Sequence, residues 1–348
     1  GYQQIIPPLL EYLESLLSGS GKDMDLQTFK VIDQLSGRMM GLRADMTPQA
    51  ARIDAHLLNS DGITRLCYAN NVLHTISSGI TQTREPLQVG AELYGHSGLE
   101  SDLEIQQLML KCLSVAGVSK IHLDLGHVAV FRSLIINAGI SSQLETELFT
   151  TLQAKDLSTL KELCSHLQPS IRDALMLLPE LYGGDRVLTD GAKWLPDYPE
   201  IKTALNELNV IKQEMTSLVE HIAFDLADLR GYHYHTGIVF AAYVRDSSNA
   251  IALGGRYDEI GKAFGRSRPA TGFSMDLRDL SKLVKPKPYP KAISAPFRKD
   301  NKGLDAMIEQ LRKVGHIVVI ELPGQKDDCQ NCDRRIVLQN GQWVIEEI

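Results

Sequence analysis

Gln88 and Glu92 stand four residues apart inside the alternating series Leu87, Val89, Ala91, Leu93. In an extended strand that spacing turns both side chains to one face and the apolar set to the other. Glu92 could then be a binding carboxylate or a solvated strand residue. Asp45 precedes Thr47-Pro48, which has the form of an N-cap and a first helical residue, so it could cap that helix or offer an acceptor to a ligand. Arg230 opens the cluster Arg230-Gly231-Tyr232-His233-Tyr234-His235, and taken alone it could equally be a surface ion-pair partner, as Tyr257 could be core packing. Cys329 and Cys332 have the spacing of a metal or redox pair. No second Cys or His pair stands near them and His316 is isolated, so a zinc site would lack ligands. A strand leading into a helix, the setting of a redox motif, is not clear either. The pair is expected to be unbridged and no metal is expected.

These residues need elements to position them. Gln49–Leu58 continues the Thr47-Pro48 start with Ala51, Ile53, Ala55 and Leu57. Ser101 and Glu104 form a capping-box pattern ahead of Ile105, Leu108, Met109, Cys112 and Leu113, which predicts a helix over 102–116. Ile121, Leu123 and Leu125 alternate as a strand with one buried face, as does the Leu87 series. From about 141 to 221 leucines recur at helical spacing with breaks near Gly183-Gly184, Pro196 and Pro199, which predicts a helical insertion. Strands return at Ile222–Leu226 and Thr236–Tyr243. The segment Lys282–Lys302, interrupted by four prolines, reads as a linker and domain boundary. A small α/β unit over 291–348 follows, with a helix near 303–314, a strand Ile317–Ile320 and a terminal hairpin turning at Asn340-Gly341.

The 43% hydrophobic content is that of a globular protein, and no run of eighteen apolar residues appears. No membrane association and, by default, a cytoplasmic location are expected. A net charge of −7 argues against a surface built for nucleic acid, which would gather Lys and Arg to displace counterions.

Three separated segments carry a resemblance. Leu42-Arg43-Ala44-Asp45-Met46-Thr47, Arg230-Gly231-Tyr232-His233-Tyr234-His235-Thr236-Gly237 and Gly254-Gly255-Arg256-Tyr257-Asp258, the last followed by Pro269–Met275, resemble in order the signature blocks of histidyl-tRNA synthetases. Ile6-Pro7-Pro8-Leu9-Leu10-Glu11 is similar to the first motif of class II synthetases, which builds their dimer interface. Because the chain opens directly on that motif, a missing N-terminal segment is also an expectation. Over residues 1 to about 285 the resemblance implies an α+β fold, with an antiparallel sheet flanked by helices, and a histidine-binding site. The residues it assigns to that site are Asp45, Thr47, Arg84, Gln88, Glu92, Arg230, Tyr234, His235 and Tyr257. Asp45, Thr47 and Gln88 match positions that hold the ligand's ammonium, Glu92 the carboxylate facing the imidazole, and Arg230 a cation, while Tyr257 and His235 bound the ring.

Departures from the pattern bear on chemistry. Amino-acid activation needs fixed cations at the ATP phosphates. Leu73 and Asp279 stand where the family has its motif-two and motif-three arginines, and Arg278, one position away, would turn to another face. His233 and His235 replace a family Asp and Tyr. The unit from 291 to 348 is too short for an anticodon-binding domain. Together these features resemble a family of synthetase paralogues, the regulatory subunits of ATP phosphoribosyltransferase. The resemblance implies no catalysis and no cofactor, a short-form catalytic subunit as partner, self-association as a class II dimer, and feedback by L-histidine. A histidyl-tRNA synthetase of unusual sequence and a stand-alone histidine-binding paralogue are the alternatives.

Overall fold

Alternation of side chains decides the centre of the larger unit, where the Leu87–Tyr94 strand pairs on one side with Thr64–Asn71 and on the other with Ala270–Asp276, both antiparallel. The computed structural model describes residues 1–18, 22–76, 83–232, 234–245, 247–285, 288–299, 301–324, 329 and 331–348. They divide into two units, Gly1–Lys285 and Pro286–Ile348. His233, Gln330 and, within the expected linker, Pro286, Lys287 and Asp300 lie outside the described residues.

In the first unit, nine strands among the described residues form one sheet in the order Gln3–Gln4, Thr64–Asn71, Leu87–Tyr94, Ala270–Asp276, Ala252–Arg256, Ile238–Tyr243, His122–His127, His221–Asp225, Tyr182–Gly183. The middle of the sheet is antiparallel, and among the described residues its parallel pairs are Gln3–Gln4 with Thr64–Asn71 and His122–His127 with His221–Asp225. Helices Leu99–Val115 and Val128–Asn137 and the insertion's helices, from Ser142–Gln153 to Pro199–Met215, share one core with the sheet. The helical-period leucines are the insertion's contribution: Leu148, Leu152, Leu160, Leu175 and Leu208 are all buried. Each such burial stabilises by about 1.5–3 kcal/mol. A separate three-stranded sheet, Leu10–Tyr12, Met39–Leu42 and Phe29–Ile32, leaves Leu10, Val31, Ile32 and Met39 exposed.

Three local expectations are corrected. The helix expected over 102–116 is Leu99–Val115, capped at Gly98 without a side chain. Ser101 donates its hydroxyl to the carbonyls of His96 and Gly98, and Glu104 is taken by Arg65 and Tyr2, so neither is free to form a capping box. Thr47 lies inside the helix Thr47–Arg52, whose cap position is Met46, and the continuation Ile53–Leu58 is a π-helical turn. The segment Lys282–Lys302 is not a linker throughout, because Ala292–Ala295 is a buried strand.

In the second unit Ala292–Ala295 lies between Val318–Ile320 and Cys332–Gln339, parallel to both, and the helix Lys302–Lys313 packs Leu304 and Ile308 against it. The hairpin Cys332–Gln339 and Gln342–Glu347 turns at Asn340 and Gly341, both with positive φ, as a two-residue hairpin requires. Here too an expectation is corrected. Cys329 and Cys332 are bridged: the Cys332 N–H donates to the Cys329 carbonyl at 2.9 Å, and this turn brings the two Cα atoms to 5.3 Å, within disulfide reach.

Candidate functional site

The face of the sheet that carries Gln88 and Glu92 is floored by glycine. Glu92 lies opposite Gly272, which lies opposite Gly255, and Gly90 lies opposite Tyr68. A Cβ on Gly272 would fall on the Glu92 carboxylate, one on Gly90 would come within 2.5 Å of the Tyr68 hydroxyl, and one on Gly255 within 2.8 Å of Nε2 of His235. Three side chains can therefore lie flat on the sheet only because their neighbours have none.

Glu92 is 1% exposed. Tyr68 donates to its Oε1 at 2.8 Å and Tyr257 donates to its Oε2. Burial nonetheless pushes the carboxyl up to about 8, outweighing the two phenols, which favour the ionised form. Tyr234 stacks on Tyr257 at 4.8 Å, and Tyr94 meets Tyr257 edge-on. Among the described residues, the hydroxyls of Tyr94 and Tyr234 are buried without a hydrogen-bond partner. Across the cavity, Oδ1 of Asp45 accepts from the Thr47 N–H and hydroxyl, both at 3.1 Å, and from Nε2 of Gln88 at 2.8 Å. Gln88 closes the loop by accepting from the Met46 N–H at 3.0 Å. Asp45 thus holds the start of the Thr47–Arg52 helix, and its Oδ2 makes none of these bonds.

Asp45, Thr47, Glu92, Tyr234, His235 and Tyr257 come together with Gly254, Gly255 and Gly272 around one cleft of about 170 Å³. Gln88 lines the adjoining cleft instead, bracing the Asp45 loop from that side. The structure does not bring Arg84 or Arg230 to the cleft. Arg84 is exposed, donating to the His74 carbonyl at 3.0 Å and lying over the Phe29 ring. Arg230 forks onto Asp228 and donates to the Tyr243 hydroxyl at 2.8 Å, because a buried carboxylate two residues away is the nearest strong acceptor. Tyr68 is the group that sequence reasoning missed. Its signal was its place on Thr64–Asn71 beside a glycine-bearing strand, legible only once the register is known. Arg43, fully buried, ties the site loop to its surroundings: its guanidinium donates to the carbonyls of Pro7 and Asn71, and its backbone bonds Leu9 and Leu73.

A second cleft of about 190 Å³ adjoins the first, sharing Leu253 and Ser274. Its described lining joins the apolar Ala44, Val72, Pro86, Ala250–Leu253 and Met275 to His74, Thr83, Gln88, Ser274 and the carboxylates Asp276 and Asp279, and it includes no Lys or Arg. Asp279 pairs with Lys282 at 2.6 Å. Arg278 is half exposed and turned to Glu85 at 3.4 Å. Polyphosphate would meet like charge here.

Residues 1–280 match the sequence model of the histidyl-tRNA synthetase family, and residues 290–346 match that of the ATP phosphoribosyltransferase subunit HisZ C-terminal domain. An ATP phosphoribosyltransferase regulatory subunit of Nitrosospira multiformis is 63% identical over all of this chain and 90% of that protein; one of Nitrosomonas eutropha is 62% identical over 99% and 90%. The chain belongs to the family of ATP phosphoribosyltransferase regulatory subunits. A solved regulatory subunit/histidyl-tRNA synthetase of Bacillus halodurans superposes with a TM-score of 0.81 at 28% identity, over 95% of this chain and 86% of that one. A histidyl-tRNA synthetase of Nostoc superposes at 0.75 and 19% identity, which speaks to the fold alone. The regulatory-subunit family therefore shares the class II synthetase fold expected from the sequence. Among the described residues no helix is long and apolar enough to cross a membrane.

Proposed function

We propose that this regulatory subunit senses free L-histidine in the Glu92 cleft, does not activate it with ATP, and passes its occupancy to a short-form catalytic subunit. The observation that carries the reading is the juxtaposition of two clefts, one built of acceptors suited to an amino acid's ammonium and ring N–H groups, the other lacking Lys and Arg among its described lining. The ammonium would meet Asp45 and Thr47, the ring Glu92, His235 and the stacked Tyr234 and Tyr257. Arg230, half exposed at its Asp228 pair, is the cation that the ligand's carboxylate would draw toward the cleft. The exposed Ile6, Leu9, Leu10, Val31, Ile32 and Met39 support self-association in the manner of class II synthetases.

A site without chemistry of its own affects metabolism only through another protein, and linkage then requires that protein to change histidine affinity in return. The test is the rate of phosphoribosyl-ATP formation by the catalytic subunit alone, with this chain, and with its Glu92→Ala variant, across a histidine titration. Activation on mixing, with histidine inhibition that the variant blunts, is expected. Unchanged activity would leave a stand-alone histidine binder as the better account.

A further inference from the structure

The inference concerns the proton state of the ligand and rests on the histidine reading above. Nδ1 of His235 lies 3.1 Å from the Arg230 carbonyl, which can only accept, so Nδ1 carries the ring proton. Gly231, at φ +62°, makes this possible, since a Cβ there would come within 2.6 Å of that nitrogen. Nε2, lying over Gly255 at the cleft, is then a lone-pair acceptor with no hydrogen-bond partner among the described residues. The other polar groups lining the described cleft are the Asp45 and Glu92 carboxyls and hydroxyls. Each of these groups has an oxygen able to accept a hydrogen bond from a ring N–H.

We propose that the cleft binds histidine with both imidazole nitrogens donating, one to Glu92 and the other to Nε2 of His235. His235 is thereby a specificity-determining residue. The proton count balances without solvent. In the empty site at neutral pH Glu92, held up to about 8 by burial, carries a proton, and burial holds His235 down to about 4 and therefore neutral. A neutral histidine ring enters with one N–H, which bonds Nε2 of His235. The Glu92 proton moves to the ring's other nitrogen, breaking one O–H bond and forming one N–H bond, which leaves an imidazolium against a carboxylate. The groups facing Glu92 are Tyr68, Tyr94, Tyr234, Tyr257 and Asp45, and those facing His235 are Tyr234, Asp228 and Arg230. Tyr68 and Tyr257 remain donors to the new carboxylate, and Asp45 adds negative charge that favours the cationic ring.

The test uses the full chain and L-histidine whose ring carries the heavy nitrogen isotope, observed by NMR at about pH 7.5, where free histidine's ring is mostly neutral. Bound ligand is expected to show protons on both ring nitrogens, and calorimetry in two buffers of different ionisation heat to show close to zero net protons exchanged. One unprotonated ring nitrogen in the complex, or release of close to one proton, overturns the proposal while leaving histidine binding intact. Absence of any bound signal at millimolar histidine overturns the histidine reading and the proposal with it. As a second measure, His235→Tyr, whose hydroxyl can donate as well as accept, should return the bound ring to one protonated nitrogen. A variant that still holds both protons argues against the role of His235.

Discussion

The two clefts lie side by side on one sheet and share Leu253 and Ser274, yet their polar groups are disposed in opposite ways. In the first, the carboxyls of Glu92 and Asp45 are held by tyrosine, threonine and glutamine donors and aimed into the space. In the second, Asp276 accepts from the backbone of Leu87 and Arg278, and Asp279 from Lys282, so the carboxylates belong to the protein's own structure. Two adjoining clefts on one sheet can differ this much in charge because each depends on its own few side chains rather than on the sheet beneath.

The comparison breaks most decisively if the second cleft can still do chemistry. Histidine-dependent exchange of pyrophosphate into ATP is expected to be absent, since loss of even one such charge-stabilising donor costs about 3–4 kcal/mol of transition-state stabilisation. Turnover at synthetase-like rates that requires histidine would end the contrast. Next in size is Glu92→Ala, which strips a ligand ring of its buried partner. It should weaken histidine binding by about 1–3 kcal/mol in calorimetry, and wild-type affinity would show that the ring sits elsewhere. Gly272→Ala tests the glycine floor directly. Its methyl displaces the Glu92 carboxyl, so the urea midpoint should fall by an equivalent of roughly 1–3 kcal/mol along with histidine affinity.

A smaller effect follows from pH. Glu92 is raised from an ordinary value of 4.5 to about 8 in the folded protein, so between those values the folded state binds more protons than the unfolded one. Its contribution to stability is complete below 4.5 and is lost as pH rises toward 8. Denaturant titrations of the ligand-free protein should show this decline, and Glu92→Gln should flatten it. The smallest expected effect is none: chelators should leave the melting temperature unchanged, there being no metal-binding cluster among the described residues. A drop would show that the protein holds a structural metal ion.

The sheet and the helical insertion were legible because periodicity tracks burial, and Leu148, Leu152, Leu160, Leu175 and Leu208 lie in the core, although Leu157 and Leu218 stay exposed. The side-by-side placement of Asp45, Thr47, Glu92, Tyr234, His235 and Tyr257 came from a motif resemblance, since nothing in spacing joins positions so far apart. Tyr68 escaped because its meaning depends on strand register. Ser101 and Glu104 misled because a local capping pattern lost to tertiary partners, Arg65 and Tyr2 for the acid and two carbonyls for the hydroxyl. For Arg230 the motif resemblance pointed to the ligand while its residue type allowed an ion pair, and the Asp228 carboxylate two residues away provides that pair.

Arg43 makes four hydrogen bonds to two stretches of chain: its N–H groups donate to the carbonyls of Pro7, Leu9 and Asn71, and its own carbonyl accepts from the Leu73 N–H. None of these contacts touches a ligand, yet Arg43 stands two residues from Asp45. Among the described residues its NH2 nitrogen is buried without a partner. Because a buried guanidinium loses every bond at once when it leaves its place, the segments around residues 7–9, 43–47 and 71–73 are expected to release together. Their amide protons should therefore exchange with solvent as one cooperative group, slower than the exposed loops, and histidine should slow all three segments to a common degree.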